Sequence, residues 1–304
     1  MENVALLFVC LGIGLMLQRV QDFPKNGYVA LNLFLIYVSL PSVALMHIPN
    51  ISIDTSLLFP VFTAYIVFFL SIPVILAVSK WKNWDRATTG CIILTAGLGN
   101  TSFIGFPVIE ALYGAEGLSI ALLVDQPGSF VVVSTFGVIV ASYFAGTGTQ
   151  KRVIFKRVLF FPPFIAFVAA VLLLLINMPP TGIPLKVIQS LAATLTPLAL
   201  ISIGLQLKIN LKGQRLSPVV IGLSYKLLLA PLFLFLIYAV IMGGSGLPVK
   251  VSILEAAMAP MVTGSILAIT YNLNPRLASL MVGIGVIVSF ITLAGWYFIV
   301  EFFL

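Results

Sequence analysis

Charge is what this sequence has least of. Asp, Glu, Lys and Arg together make up 8% of its 304 residues, while 61% are hydrophobic. That balance leaves no room for a water-soluble globular domain and places the chain among polytopic membrane proteins. There is a single histidine, His47, so no HExxH zinc motif exists and no Ser–His dyad is expected. The two cysteines, Cys10 and Cys91, both fall inside apolar runs and read as buried thiols, not as a disulfide or a metal pair. Acidic clusters of the kind that hold metal–diphosphate substrates are missing. Asp125 has no second Asp in a neighbouring span, as an intramembrane aspartyl protease requires. The chain is therefore expected not to be an enzyme and to carry no metal or other cofactor beyond a coupling proton or sodium ion.

Long apolar runs are what it does have. A membrane span needs roughly 20 apolar residues, and the polar breaks divide the chain into about ten such runs. We number these spans 1 to 10: 3–18, 27–46, 56–79, 86–113, 116–144, 153–176, 185–207, 218–242, 248–272 and one starting at 275. Span 1 follows Met1-Glu2 with no positive stretch before it, so it is expected to be retained and not cleaved as a signal peptide. Thirteen of the 16 Lys and Arg residues lie on one side of this arrangement: Arg19, Lys25, Lys80, Lys82, Arg86, Lys151, Arg152, Lys156, Arg157, Lys208, Lys212, Arg215 and Arg276. Only Lys186 and Lys250 lie on the other, so the positive-inside rule puts both termini outside the cytoplasm of a plasma or inner membrane. Trp81 and Trp84 flank the cytoplasmic end of span 3, as interfacial residues do. The net charge of +7 is thus a topological signal and implies no nucleic-acid partner.

The halves echo each other in order. Leu40-Pro41 matches Thr196-Pro197 at an offset of 156, Pro73 matches Pro231 at 158, and Ile93-Leu94-Thr95-Ala96 matches Ile253-Leu254-Glu255-Ala256 at 160. A duplicated unit with small loop insertions gives such a drift. Because five spans is an odd number, the second copy enters from the opposite side, giving inverted repeats at 1–145 and 153–304 joined by a cytoplasmic linker at 146–152.

Two spans are interrupted where a membrane helix can least tolerate it. Span 4 contains Gly97-Leu98-Gly99-Asn100-Thr101-Ser102-Phe103-Ile104-Gly105-Phe106-Pro107, and span 9 contains Met258-Ala259-Pro260-Met261-Val262-Thr263-Gly264-Ser265. Backbone groups freed inside the bilayer cost several kcal/mol each, roughly, unless protein, water or ligand satisfies them. Matched interruptions in two halves point to a transport site. The half-helix N-termini there would present N–H donors and partial positive charge to an anion. Asn100, Thr101, Ser102, Thr263, Gly264 and Ser265 supply uncharged polar groups, with close helix packing as their other reading.

Asp125, Lys226 and Glu255 are the ionisable residues singled out within spans, where each is a functional candidate by its insertion cost alone. Lys226 could instead snorkel to the cytoplasmic face. Glu255 reads equally as interfacial or buried. Asp125, beside Gln126, could serve backbone freed by Pro127.

Gly99-Asn100-Thr101-Ser102-Phe103-Ile104-Gly105-Phe106-Pro107, Ala257-Met258-Ala259-Pro260 and Tyr37-Val38-Ser39-Leu40-Pro41 together resemble the auxin efflux carrier family. Its members include plant auxin carriers and bacterial transporters for malonate, malate and similar acids. The resemblance covers essentially the whole chain and implies an all-α fold similar to the bile-acid sodium symporters, with ten helices and spans 4 and 9 broken and crossing at Asn100 and Pro260. Spans 1, 2, 6 and 7 would form a scaffold that pairs in a homodimer, and spans 3–5 and 8–10 a mobile elevator domain. Two departures stand out: span 4 carries Asn-Thr-Ser where plant members often place a proline, and the long central cytoplasmic loop is missing.

The expected function is secondary transport of a small organic anion, a mono- or dicarboxylate of auxin-like or malate/malonate-like type. The anion would bind near Asn100, Thr101, Ser102, Pro260, Thr263, Gly264 and Ser265, with Lys226 assisting. Asp125 and Glu255 are the candidates for proton or sodium coupling, sodium being placed near Asn100 and Glu255. Uniport driven by membrane potential, a transporter-fold receptor that binds without moving its ligand, and a passive channel are the competing readings.

Overall fold

The computed structural model describes residues 2–52, 54–147, 159–207 and 216–304, with the side chains described from Ala5 onward. Every regular element among them is helical. Most of the linker expected at 146–152, the start of span 6, and Lys151, Arg152, Lys156, Arg157, Lys208, Lys212 and Arg215 lie outside the described residues. In chain order the helices are α1 (Glu2–Leu17), α2 (Gly27–Phe34), α3 (Leu40–His47), α4 (Leu58–Lys82), α5 (Arg86–Ala96), α6 (Phe106–Val124) and α7 (Val138–Ala145). They continue with α8 (Pro162–Leu175), α9 (Gly182–Ala192), α10 (Leu195–Gln206), α11 (Leu216–Ser224), α12 (Ala230–Phe235), α13 (Leu247–Ala256), α14 (Val262–Thr270) and α15 (Pro275–Phe303). Wider π turns occur at Leu35–Ser39, Thr101–Gly105, Asp125–Phe130, Val133–Gly137, Tyr225–Leu229 and Leu236–Ile241.

Among the described residues, six helical stretches are long and apolar enough to cross a membrane: Gly27–Asn50, Thr55–Lys82, Thr101–Ala145, Gly182–Gln206, Leu216–Ile241 and Pro275–Phe303. The third has 45 residues, about twice what one crossing needs. It is divided at Gly114, whose φ of 64° and ψ of −154° lie outside helical space and suit only a residue without Cβ. Other stops use asparagine. Among the described residues, the non-glycine residues with positive φ are Asn83, Asn177, Asn272 and Asn274, each beside a helix end, where the short amide side chain makes the left-handed conformation tolerable.

Proline accounts for the position of several π turns. A proline within a helix clashes with the carbonyl four residues back and offers no N–H; opening one turn relieves the crowding and leaves a carbonyl to be satisfied. Leu35–Ser39 precedes Pro41, and Tyr225–Leu229 precedes Pro231, each by two residues. The carbonyl four residues before Pro231, that of Leu227, accepts from Trp296 Nε1 at 2.9 Å. In Asp125–Phe130, the carbonyl of Pro127 accepts from Tyr65 Oη at 2.8 Å.

The helices gather into two compact units. The first comprises Met1–Thr55, Ser102–Leu122 and Arg157–Leu207. Its tightest seam is α1 on α10, where Gly14 and Gly204 face each other. A Cβ on Gly14 would overlap the carbonyl oxygen of Ile201 and lie 2.8 Å from the Gly204 Cα. Only such a pair lets two backbones approach this closely in an apolar medium. Gln18 Nε2 then closes the end of α10 by donating to the carbonyls of Gly204 at 2.6 Å and Leu207 at 3.0 Å. Polar pairs tie the rest: Ser202 Oγ donates to Asn32 Oδ1 at 2.5 Å, and Ser39 and Thr194 share a hydrogen bond of 2.7 Å.

The second unit comprises Ser56–Thr101, Leu123–Lys156 and Lys208–Leu304. Asp85 caps α5 by accepting from the Thr88 backbone N at 2.6 Å, and the buried Tyr225 hydroxyl donates to the Val67 carbonyl at 2.6 Å.

The α1–α10 seam gives a direct test. Overpacking typically costs about 1–3 kcal/mol, so Gly14→Val should lower the detergent-solubilised melting temperature by several degrees. Gly12→Val, two residues away with nothing within 4 Å of its Cβ position, should leave it unchanged.

Candidate functional site

In the second unit α5 and α13 both stop short, and the peptides that follow run extended past each other. Asn100 N donates to the Ala259 carbonyl at 2.8 Å, and Met261 N donates to the Leu98 carbonyl at 3.0 Å. Gly99 and Pro260 face each other between these bonds as an antiparallel bridge. Each interruption thus satisfies backbone groups that the other one orphans. Proline fits because 260 is a position between the ladder bonds, where no N–H is needed. Glycine fits at 99 because a Cβ there would lie 2.9 Å from Lys226 Nζ. Immediately beyond the crossing, the Thr101–Gly105 turn and α14 begin.

Three charged side chains surround this crossing, all buried. Lys226, on the Tyr225–Leu229 turn, is 1% exposed and donates from Nζ to the Ala256 carbonyl at 2.7 Å. It does not snorkel. The cation sits at the C-terminal end of α13, where the helix carries partial negative charge. Glu255, one residue before that carbonyl, is also 1% exposed, which decides between the interfacial and buried readings in favour of burial. Neither of its carboxyl oxygens has a hydrogen-bond partner. Asp125, at the start of the Asp125–Phe130 turn, is held at both oxygens: Thr101 Oγ1 donates to Oδ1 at 2.5 Å and Gln126 Nε2 donates to Oδ2 at 2.6 Å.

Lys226, Glu255 and Thr101 line one small cavity together with Gly97, Gly99, Thr63 and Ser129. It has room for about one water molecule, so a cation or a water fits and a dicarboxylate does not.

The other expected residues are distributed more widely. Asn100 and Pro260 form the crossing through their backbones. Ser102 is half-buried and groups with the first unit. Thr263 is exposed on α14 and does not line the cavity. Gly264 is a packing position, since a Cβ there would lie 2.7 Å from the Leu94 carbonyl oxygen. Ser265 is buried in the first turn of α14 and donates its N–H to the Met261 carbonyl at 3.1 Å.

Some residues escaped the sequence reading. Thr63 and Ser129 are single small polar residues in apolar runs and give no pattern to detect. Gln126 was visible only as a neighbour of Asp125. Glu110 is a fourth ionisable residue inside a predicted span. In the first unit its Oε2 accepts from Thr196 Oγ1 at 2.6 Å, and a fuller count of acids in span 4 would have found it. His47 Nδ1 lies 3.4 Å from Ser119 Oγ, a serine–histidine contact that the sequence reading did not expect. The Ser119 hydroxyl is directed at the Ala115 carbonyl, 2.9 Å away, so the pair lacks the short hydrogen bond of an activated nucleophile. Among the described residues, no group of three or more His, Cys, Asp or Glu is arranged to hold a metal ion.

Comparison with known proteins identifies the family. The family model described as membrane transport protein matches residues 1–297. An uncharacterized transporter of Methanothermobacter thermautotrophicus is 28% identical over 298 residues, covering 97% of this chain and 96% of its own. A second uncharacterized transporter, from Methanocaldococcus jannaschii, is 28% identical over 273 residues, covering 88% of this chain and 87% of its own. The chain belongs to the membrane transport protein family, that of the auxin efflux carriers, and is an integral, multi-pass membrane protein.

Proposed function

We propose that this protein is a secondary transporter of a small organic anion, a mono- or dicarboxylate, working by alternating access. The observation that carries the reading is the reciprocal pair of backbone hydrogen bonds between the interruptions, Asn100 N to Ala259 O and Met261 N to Leu98 O. A channel needs a polar lining but has no use for two helices broken and locked at one point. A carrier does, because the half-helices that start there turn N–H donors toward a guest. The bridge pair Gly99 and Pro260 is separated by 161 residues, in line with the drift of 156, 158 and 160 between the halves. This favours ten spans in two inverted repeats, with Thr101–Ala145 counted as more than one crossing and the shorter apolar helices Ala5–Leu17 and Pro162–Leu175 included.

The anion binds beside the crossing, outside the water-sized cavity, at the first turn of α14. Asn100, Thr101, Pro260, Thr263 and Ser265 are its contact residues, and Lys226 adds positive potential from within. Asp125 and Glu255 are the candidates for coupling to protons or sodium. The grouping of spans 1, 2, 6 and 7 in one compact unit supports a scaffold that pairs as a homodimer and a second, moving body, an elevator. The segment Ser102–Leu122, which clusters with the first unit, is the part of span 4 and 5 that this scheme has to move. The membrane is the plasma or inner membrane, with both termini outside the cytoplasm.

Proteoliposomes loaded with unlabelled acids should accumulate labelled acid by counterflow. A receptor keeping the carrier fold would bind without saturable flux, and a channel would conduct without counterflow. Hydrogen bonds to a charged group are worth about 1.5–3 kcal/mol, so Asn100→Ala or Thr263→Val should raise the half-saturating concentration roughly tenfold or more, with melting temperature unchanged. Binding of only neutral or cationic compounds rejects the anion reading.

A further inference from the structure

The two acids at the crossing are treated differently. Asp125 has a donor on each oxygen, Thr101 and Gln126, the provision a permanently ionised carboxylate needs when buried. Glu255 is as deeply buried, lines the cavity, and has no donor on either oxygen. A bare carboxylate is not kept in such a place; it holds a proton or a bound cation. Two carboxyl groups that share a site but not an environment divide the acid–base roles between them.

Charge separates the proton from the metal ion. The charged groups facing Glu255 are Lys226, from the Tyr225–Leu229 turn, and Asp125, which joins the cavity wall through Thr101. Thr63 and Ser129, from the other packed elements, are uncharged. Asp125 and Lys226 cancel, so the cluster is neutral when Glu255 carries a proton and has one negative charge when it does not. The Lys226 ammonium already occupies the wall of this water-sized space, bonded to a helix C-terminal carbonyl at 2.7 Å, as a coordinated alkali ion would be. A sodium ion admitted beside it would meet a like charge at short range in low dielectric.

Resting on the transporter reading above, we propose that Glu255 is the proton-exchange group of this protein and that Lys226 is a tethered cation filling the place of a sodium ion, so that coupling is protonic and independent of sodium. In each cycle the Glu255 O–H bond forms with a proton from water on one side of the membrane and breaks to water on the other. Lys226 keeps its charge throughout, and Asp125 stays ionised as its fixed counter-charge.

The test needs no substrate. Infrared difference spectra of the purified full chain, taken across a pH titration, should contain the carbonyl stretch of a buried carboxylic acid that disappears as the pH rises. That band should be lost in Glu255→Gln and retained in Asp125→Asn. Exchanging choline for sodium at fixed ionic strength should leave the wild-type melting temperature unmoved, whereas Lys226→Gln, with the space vacated, should gain a sodium-dependent upward shift. If Lys226→Gln does not fold, the wild-type and Glu255→Gln measurements decide alone. A band that survives Glu255→Gln, the absence of any such band, or a sodium-dependent shift in the wild type overturns the proposal. A failure of counterflow with the band intact would count against transport and leave the proton site standing.

Discussion

Two backbone hydrogen bonds, Asn100 to Ala259 and Met261 to Leu98, between peptides far apart in the chain, are the constraint around which the second unit is arranged. A helix interrupted in an apolar medium leaves donors and acceptors that hydrocarbon does not satisfy. Here the deficits of α5 and α13 are complementary, so the chain can stop two helices in one place without burying unpaired backbone. Once the peptides are extended and paired, the residue types at the crossing follow. Pro260 occupies a ladder position that asks for no N–H, and Gly99 occupies one where the Glu255 carbonyl and Lys226 both press close. Around them the packing is equally tight: on α15, a Cβ at Gly285 would overlap the Pro260 ring. The break is therefore a rigid feature, held from several sides.

That rigidity is also what makes buried charge tolerable. Lys226 reaches the crossing because the preceding turn is widened ahead of Pro231, and the strain of that proline is absorbed elsewhere, by the Trp296 indole at the Leu227 carbonyl. Its ammonium finds an acceptor because α13 ends early and leaves the Ala256 carbonyl without a helical donor. Asp125 likewise starts a π turn, in a helix opened around Pro127, with Tyr65 taking the carbonyl left over. The sites of proline, widened turn and buried charge coincide in both halves, as expected where distortion of the ladder serves a site.

Much of this was legible in the sequence because it rests on residue types with one structural meaning. Glycine and proline inside apolar runs, at matching offsets, identify interruptions; a lone acid or lysine in a span identifies a buried charge. What was not legible is which neighbour each polar group meets. Thr263 looks equivalent to Thr101 on paper, but Thr101 donates to Asp125 through its side chain while Thr263 is exposed on α14, because helical phase after a break depends on how many residues the extended stretch uses. Gly264 reads as a possible anion contact and turns out to be where α14 lies against the Leu94 carbonyl. Glu110 lies in span 4 beyond the interruption. Its partner, Thr196, lies 86 residues away and no local spacing joins them.

The size of the cavity bears on how specificity can evolve in such a fold. On the transporter reading proposed above, a space for about one water beside Lys226 and Glu255 separates the groups that balance charge from those that would meet the cargo. The former are few, buried and dependent on one another: altering Asp125 or Lys226 alone leaves an uncompensated charge in low dielectric. The latter are largely main-chain donors at helix starts, which recognise negative charge without demanding any one side chain. Residues flanking the crossing can then change to suit a larger or smaller acid while the charge cluster and the paired peptides stay as they are. On that same reading, the paired breaks are then constrained more tightly than the choice of cargo.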